Sequence, residues 1–450
     1  MGIISLVKNK VIRPLVPRFV FSLYYLSWAA VAAFLYRFPS RSMVIIGVTG
    51  TNGKTSTVNA IHAVLQDNGI RAGLISTANY KIGGREWINE TKNTTLGRFG
   101  LQKRLHDMKK SGCKVVVLEV SSEGIVSHRT VGVDFDTVIF TNLTPEHIEA
   151  HGSFEKYKAA KKSLFTNLKK SPRKKIAGIA SSALRKTIIA NIDDEHAEDF
   201  LKSESDEKYG ISITKKNSLF ASQVMRAEDI VSSDTSLSAT IIADSDAYKI
   251  HSPLLGKIQI YNILAGVAVA RLFGVSSDGI EKSYAHYKGV AGRMERITSK
   301  KGFDVIIDYA VTPEALQTLY STIRALYSGK IIAVFGSCGG GRDVGKRRPM
   351  GRTVSGYVDY SILTNEDPYF DDPYDIVRDI ELGFIDNGKE KNKDYEILIN
   401  RDHAIEKALL MVSGKGDVVV VTGKGSETGM NIQGEVVPFN DQKTVLKYLK

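Results

Sequence analysis

Residues 42–65, SMVIIGVTGTNGKTSTVNAIHAVL, run from an apolar stretch through a glycine-rich turn into residues with helical spacing. Backbone N–H groups at such a turn converge on an anion at a helix N-terminus, a lysine reaches its outer oxygens, and a threonine hydroxyl can ligate a divalent cation. Gly50, Thr51, Asn52, Gly53, Lys54, Thr55 and Ser56 are therefore candidate nucleotide contacts, with Lys54 on phosphate and Thr55 on magnesium. The strict spacing G-x-x-x-x-G-K-T would need glycine where Val48 stands; the glycines are Gly47, Gly50 and Gly53. A turn that merely joins strand to helix is the plain alternative, and the order strand, glycine turn, helix favours the phosphate cradle.

Two further groups acquire meaning from this loop. Glu119, inside the apolar run KVVVLEVSS, is costly unless paired, which favours a metal or a lysine over a plain core carboxylate. His147 alone would be an ordinary loop histidine. Its coincidence with Glu119 and with SFEKYKAAKKSLF, a helix carrying Lys161 on its inner face, supports a functional reading.

The elements that must position these groups are legible as a pattern. KVVVLEVSS and TVIFTNL are further strands separated by polar helical stretches, so the segment is βαβ-like with a mostly parallel sheet. Both strands end in polar clusters, where ligands bind in open α/β sheets, and topology rather than sequence distance brings Glu119 and His147 to the loop. In the C-terminal part DVIIDYA, KIIAVFG, YSILTNE and DVVVVTG alternate with helices such as residues 313–327, which predicts a second, Rossmann-like α/β domain. The expected division is 1–42, 43–296 and 297–450. Residues 172–250 are turn-rich and carry no recognisable chemistry; Asp193 and Asp194 are expected at a solvated helix start, and residues 389–394 in a surface loop.

At 450 residues the chain is too long for one ordinary core, and its 43% apolar and 24% charged residues are those of a globular protein. The net charge of +12 is concentrated at the start: residues 1–42 hold Lys8, Lys10, Arg13, Arg18, Arg37 and Arg41 and no acidic residue. A membrane surface or phosphate-bearing small molecules account for it, and no nucleic-acid partner is expected. Cys113 and Cys338, far apart, exclude a disulfide framework and a structural zinc site and fit a reducing cytosol. Residues 19–36 carry no charge and would form a helix about 27 Å long, the low edge for a membrane span. The upstream basic residues and Tyr24, Tyr25, Trp28 and Tyr36 favour association in the membrane plane over a span, with a helix packed on its own domain as the alternative.

With GTNGKTST, NTT, EVSSEG, HR, FTNLTPEH, YKAAK, NIDDE, GRME, DYAVTPEAL, VFGSCGGGRDVGKRRPMG, NEDP and GKGSE in this order, residues 43–450 resemble the Mur ligases. These are ATP-dependent amide-bond formers of peptidoglycan synthesis, and the likeness is greatest to the branch adding the third stem-peptide residue, the UDP-N-acetylmuramoyl-tripeptide synthetases. The resemblance implies that Lys54 and Thr55 hold the ATP phosphates and magnesium, that Glu119 and His147 bind a second magnesium, and that Lys161 is carbamylated. It implies adenine, phosphate and ribose contacts for Asn262, Arg293 and Asp308, although Gln259 and Val311 depart from the family pattern. Thr94, Thr95, Ser121 and Arg129 would hold the muramoyl peptide, and Arg342, Gly423 and Glu427 would surround the incoming amino acid. The signature D-N-P-R of diaminopimelate-selecting members reads Glu366, Asp367, Pro368, Tyr369, so bidentate capture of a distal carboxylate is lost.

The expected activity is thus addition of an amino acid to a UDP-linked or lipid-linked muramoyl dipeptide through an acyl phosphate, by a monomer that is cytoplasmic or peripheral at the inner membrane face. A second α/β domain would close over ATP and bring in the amino acid. The alternatives are a related ligase of folylpolyglutamate or amino-acid-polymer type, and a membrane-attached P-loop ATPase switch. Related synthetases place a UDP-binding domain ahead of GVTGTNGKT; here 46 residues precede Gly47, and the opening segment is expected to stand in for part of it.

Overall fold

The computed structural model describes residues 18–82, 84–91, 93–146, 148–179, 182–341 and 344–449. It divides into two compact units, one formed by residues up to 231 with 236–288, the other by 232–235 with 289–450.

The strands of the first unit are β1 (Val44–Thr49), β2 (Ala72–Ile75), β3 (Asn79–Ile82), β4 (Arg85–Ile88), β5 (Val115–Glu119), β6 (Thr137–Phe140), β7 (Thr187–Asn191), β8 (Glu207–Ser212), β9 (Gln223–Ser232), β10 (Leu237–Ala243) and β11 (Asp246–Ser252). They form one sheet in the order β11-β10-β9-β8-β7-β6-β1-β5-β2-β3-β4. Every pairing from β9 to β2 is parallel, and the β3–β4 and β10–β11 hairpins are antiparallel. The last four strands occupy the turn-rich stretch that carries no chemistry in sequence. Its alternation is clearest in β10, whose residues are buried at every second position.

The helices here are α1 (Arg18–Leu35), α2 (Lys54–Asp67), α3 (Arg98–Lys110), α4 (Ser122–Val126), α5 (Ile148–His151), α6 (Phe154–Thr166), α7 (Ala197–Leu201), α8 (Gln259–Leu272) and α9 (Ser277–His286). Helix α2 begins at Lys54 as the spacing predicts, and Val58, Ile61, Val64 and Leu65 are fully buried. They pack with Val44, Ile46 and Val48 of β1 and with Ile263, Leu264 and Val267 of α8. Ile45 faces the opposite way, among Leu101 and Leu105 of α3 and Phe165 of α6. Alternation along β1 therefore serves two cores at once, as a doubly covered parallel strand requires.

One buried ionic cluster closes the bottom of this sheet. Asp136, just before β6, accepts the backbone N–H of Ile45 at 2.9 Å and the ammonium groups of Lys174 and Lys186 at 2.5 and 3.0 Å. All three side chains are at most 3% exposed. The lysines spend their remaining donors on the carbonyls of Met43, Asp134, Phe135 and Pro172, so the lysine-bearing segments are tied to the starts of β1 and β6.

Helix α1 docks through small residues. Ala29, Ala32 and Ala33 are buried, and a Cβ on Gly132 would come within 2.4 Å of the Ala33 Cβ. Phe19, Leu23, Tyr24, Trp28, Phe34 and Leu35 remain exposed. Among the described residues no helix is long and apolar enough to cross a membrane.

The second unit has a six-stranded sheet of β12 (Glu295–Thr298), β13 (Asp304–Asp308), β14 (Ile331–Phe335), β15 (Tyr360–Leu363), β16 (Tyr395–Ile397) and β17 (Val418–Thr422), in the order β12-β13-β17-β14-β15-β16. All pairings except β12–β13 are parallel. The hairpin β18 (Gly429–Ile432) and β19 (Glu435–Pro438) is separate. Helices α10 (Pro313–Leu326), α11 (Arg347–Ser355), α12 (Pro373–Asp386), α13 (Arg401–Leu410) and α14 (Asp441–Tyr448) complete it. Thr312 caps α10 by accepting from the N–H of Ala315, and Pro313 supplies the first-turn φ.

Removing the carboxylate of the buried cluster leaves two ammonium groups unpaired. Asp136→Ala is expected to cost about 3–5 kcal/mol in denaturant unfolding, with little change in the denaturant slope.

Candidate active site

The loop between β1 and α2 is held from below by the segment after β6. Thr51 N–H donates to the Asn142 carbonyl at 2.8 Å, Asn52 N–H to Asn142 Oδ1 at 2.8 Å, and Thr141 Oγ1 to the Asn52 carbonyl at 2.7 Å. The approach is close enough to demand glycine at position 50, where a Cβ would lie 1.9 Å from Thr141 Oγ1 and 2.9 Å from the Asn142 carbonyl. Gly53 caps α2 at φ 80° and no side chain caps the helix. That leaves the first-turn N–H groups available to an anion. Lys54 Nζ meanwhile rests on the Thr51 carbonyl at 2.6 Å.

Glu119 ends β5 beside this loop and is 2% exposed. Its Oε2 accepts from Thr55 Oγ1 at 2.9 Å and from Thr77 N–H at 2.8 Å, and its Oε1 from Thr77 Oγ1 at 2.9 Å. Thr55 and Glu119 thus present hard oxygen donors within one coordination sphere of each other, the donor set that magnesium takes. Among the described residues no cluster of three His, Cys, Asp or Glu side chains is formed. His147 lies outside the described residues.

Lys161 is brought to the same loop by α6, which Ser153 caps by accepting from Lys156 N–H. It is 2% exposed, donates to the Gly50 carbonyl at 2.6 Å and sits 4.5 Å from the Tyr157 ring centroid. Burial above all, and then the neighbouring Lys54 charge, push its pKa well below that of an ordinary lysine, with Glu146 and Glu119 pulling the other way. A lowered pKa favours the unprotonated amine, which acts as a nucleophile rather than a counter-ion.

A polar wall continues from Glu119. Thr77 Oγ1 also accepts from Thr94 Oγ1 at 2.9 Å, Thr95 Oγ1 receives the N–H of Ser121 at 3.0 Å, and Arg129 Nη1 holds the Thr95 carbonyl at 2.7 Å. Thr94, Thr95, Ser121 and Arg129 are therefore neighbours although 35 residues separate the first from the last. Asn262 reaches the other side of the loop: its Oδ1 accepts from Thr57 Oγ1 at 2.8 Å, and its Nδ2 donates to Gln259 Oε1 at 2.7 Å. Ser56, in the first turn of α2, is half-buried.

The remaining candidates lie in the second unit. Asp308 ends β13, and its two oxygens accept the N–H groups of Met294 and Ala310, each at 2.7 Å. Burial raises its pKa, while Arg293 and the two amides oppose the shift. Arg293 itself lies over the Tyr309 ring, 4.2 Å from the centroid. Elsewhere Lys424, fully buried, pairs with Asp367 at 3.0 Å and Glu427 at 2.6 Å. Glu366 Oε1 accepts from Cys338 Sγ at 2.8 Å, while its buried Oε2 has no hydrogen-bond partner among the described residues. Gly423 faces that oxygen, since a Cβ there would lie 2.4 Å from it. Tyr369 adopts φ 56° and exchanges backbone hydrogen bonds with Asn431 and Gln433. Arg342 lies outside the described residues.

Thr77, Asn142 and Lys424 are site residues that the sequence did not single out. Only Lys424 had a visible signal, a lysine at the end of the apolar run DVVVVTG. Asp193 differs from expectation. It accepts from Ser212 and Tyr261, each at 2.7 Å, and so joins the end of β7 to that of β8, whereas Asp194 accepts His196 N–H at 2.9 Å just ahead of α7, as expected, and also Leu143 N–H at 2.9 Å beyond β6. Half-buried backbone and hydroxyl donors there need acceptors.

Residues 48–270 match the Mur ligase middle domain, and residues 292–425 the Mur ligase, glutamate ligase domain. The UDP-N-acetylmuramoyl-L-alanyl-D-glutamate–2,6-diaminopimelate ligase of Halalkalibacterium halodurans is 35% identical over 422 residues, 94% of this chain and 81% of that protein. The enzyme of the same name from Clostridioides difficile is 35% identical over 420 residues, 93% of this chain and 80% of that one. A solved structure of such a ligase superposes with a TM-score of 0.59 at 28% identity, covering 90% of this chain and 78% of the other. Mycobacterium tuberculosis folylpolyglutamate synthase, in complex with ADP and AMPPCP, superposes at 0.67 with 16% identity, over 88% and 92% of the two chains, a likeness of fold.

The steric demand at position 50 gives a direct test. Gly50→Ala is expected to weaken ADP binding at least about ten-fold by titration calorimetry, because the loop must retreat from Thr141 and Asn142.

Proposed function

The chain belongs to the Mur ligase family of ATP-dependent acid–amino-acid ligases, and we propose that it adds an amino acid to a muramoyl dipeptide acceptor through an acyl phosphate. The observation that carries this reading is the meeting of Lys54, Thr55, Glu119 and Lys161 at one loop, with the Thr94–Thr95–Ser121–Arg129 wall joined to it through Thr77.

The acceptor carboxylate, held along that wall, attacks the γ-phosphorus of ATP and ADP departs. The amine of the amino acid then attacks the acyl carbon, and the tetrahedral intermediate expels phosphate. Both steps gather negative charge at the loop, so the N–H groups of Gly50 to Ser56 and the Lys54 ammonium, once released from the Thr51 carbonyl, stabilise the transferring phosphoryl group. Thr55 would hold one magnesium ion and Glu119 with His147 a second, whose charge would help to neutralise the phosphate oxygens.

Lys161 serves this site as a carbamate. Its neutral amine attacks carbon dioxide, a carbon–nitrogen bond forms, and the proton released leaves to solvent, so that a cation is replaced by a carboxylate-like oxygen donor. The depressed pKa supports this chemistry, since only the unprotonated amine reacts. Asn262, Arg293 and Asp308 are assigned to adenine, phosphate and ribose. Arg342, Glu366, Asp367, Tyr369, Gly423 and Glu427 are assigned to the incoming amino acid, whose ammonium suits the unpaired oxygen of Glu366. UDP-linked and lipid-linked acceptors present the same carboxylate, and the uncovered apolar face of α1 would keep the enzyme at the inner face of an anionic membrane.

Mass spectrometry of the products from ATP, magnesium, a panel of amino acids and either UDP-linked or lipid-linked muramoyl dipeptide tests the reading. ADP release should require both the amino acid and the acceptor; turnover without the amino acid would support an ATPase switch instead. Lys161→Ala should lower kcat by at least about a hundred-fold, with partial recovery on adding short carboxylates; an unimpaired variant would refute the carbamate. Tyr369→Arg should move amino-acid preference toward diaminopimelate by restoring a guanidinium for the distal carboxylate, and an unchanged preference would remove Tyr369 from the selecting residues.

A further inference from the structure

Three residues beyond Thr95 the chain enters α3, and there α1 closes an open groove of about 480 Å³ lined by Tyr24, Tyr25, Trp28, Arg98, Phe99 and flanking glycines. The ring centroids of Tyr24 and Trp28 lie 6.2 Å apart and those of Trp28 and Phe99 5.8 Å apart, yet the three side chains keep 51%, 43% and 39% of their surface exposed. A continuous aromatic surface left open beside a site is a surface for a ligand.

Arg98 supplies the charge. Its guanidinium lies 4.1 Å from the Tyr25 ring centroid and donates through Nη2 to the Ser127 carbonyl. Its Nε is buried with no hydrogen-bond partner among the described residues. No acidic side chain lines the groove. Helix α1 is also tied to the segment that carries Arg129: Ser22 Oγ meets His128 Nε2 at 2.7 Å, and His128, at φ 56°, precedes the Arg129 that holds Thr95.

We propose that this groove is a subsite for the glycosyl diphosphate portion of the acceptor, with the sugar ring against Trp28 and Phe99 and a phosphate on Arg98. This rests on the reading of the chain as a muramoyl-acceptor ligase. The chemistry fits both halves of such a ligand. The apolar faces of a pyranose pack on aromatic rings, and a guanidinium pairs with phosphate oxygens more strongly than a neutral donor does. It also gives α1 a catalytic purpose beyond packing, because it would hold the far end of the acceptor while Arg129 and Thr95 hold the near end.

The chain contains two tryptophans, Trp28 and Trp87, and Trp87 stacks on Tyr80 in the β3–β4 hairpin, so Trp87→Phe leaves Trp28 as sole reporter. In that background, peptide-free UDP-N-acetylmuramic acid, and in a parallel arm undecaprenyl-diphosphate N-acetylmuramic acid in micelles, should change Trp28 emission saturably. Arg98→Gln should weaken that response about ten-fold, and Tyr24→Ala, which removes an exposed ring, by a smaller factor. In ligation assays both variants should raise the acceptor KM while the KM for ATP and for the amino acid stays the same. Emission that responds to neither sugar diphosphate, or only to phosphatidylglycerol vesicles, would overturn the subsite, as would an unchanged acceptor KM in both variants. A saturable, Arg98-dependent sugar response without ligation of any muramoyl acceptor would uphold the subsite and overturn the proposed reaction instead.

Discussion

The pairing of β1 between β5 and β6 is the constraint on which the rest of the first unit depends. Its register sets Val48 opposite Glu119 and Thr49 opposite Phe140, so three strands end level. The loop that leaves β1, the carboxylate that ends β5 and the Thr141–Asn142 segment that leaves β6 must then meet. Parallel strands direct all their carboxyl ends to one edge, and a site built there needs no precision from the intervening helices beyond packing. At the opposite edge Asp136 ties β1, β6 and two lysine-bearing segments into one ionic cluster. The same strands are thus held at both ends, by polar contacts at the top and buried charges at the bottom.

The charges at the top are arranged for something not held by protein atoms alone. Glu119 uses both oxygens on Thr55 and Thr77, Lys54 leans on its own loop, and Lys161 is buried with a carbonyl for its hydrogen-bond partner. A buried ammonium without a carboxylate bonded to it is disfavoured, and the low pKa of Lys161 expresses that cost. Conversion to a carbamate would relieve it and would add a negative oxygen where magnesium and phosphate must be balanced. In the second unit the balance is already made, since Lys424 lies between Asp367 and Glu427. Glu366 keeps one oxygen open beside Gly423.

Helix α1 carries an uncharged run that does not amount to a membrane span among the described residues. It lies along α3 with Ala29, Ala32 and Ala33 buried and larger side chains outward. Small residues permit the close approach, and Tyr24, Tyr25 and Trp28 are left beside Arg98 and Phe99 at the start of α3. The basic residues of the first 42 positions would then serve anionic ligands and an anionic surface alike.

The alternation of strands and helices, the glycine loop and the candidates Glu119 and Lys161 were legible in the sequence because each is a local pattern, whereas most of the other candidates came from the family resemblance. A glycine turn before Lys54, an apolar run ending at Glu119 and a helical repeat presenting Lys161 require only neighbours along the chain to be recognised. The hairpins at the edges of the large sheet were not legible, because their strands are short or partly solvated, and around β10–β11 turn residues dominate the composition. Thr77, Asn142 and Lys424 were missed for a related reason: a threonine, an asparagine or a lysine signals nothing until a distant element supplies its partner. The sequence by itself determined which residue types could hold phosphate and metal. Tertiary structure decided which of them meet, that Asp193 joins β7 to β8, and that α1 lies against α3. Those outcomes depend on register and burial, which arise only when strands far apart in the chain pair side by side.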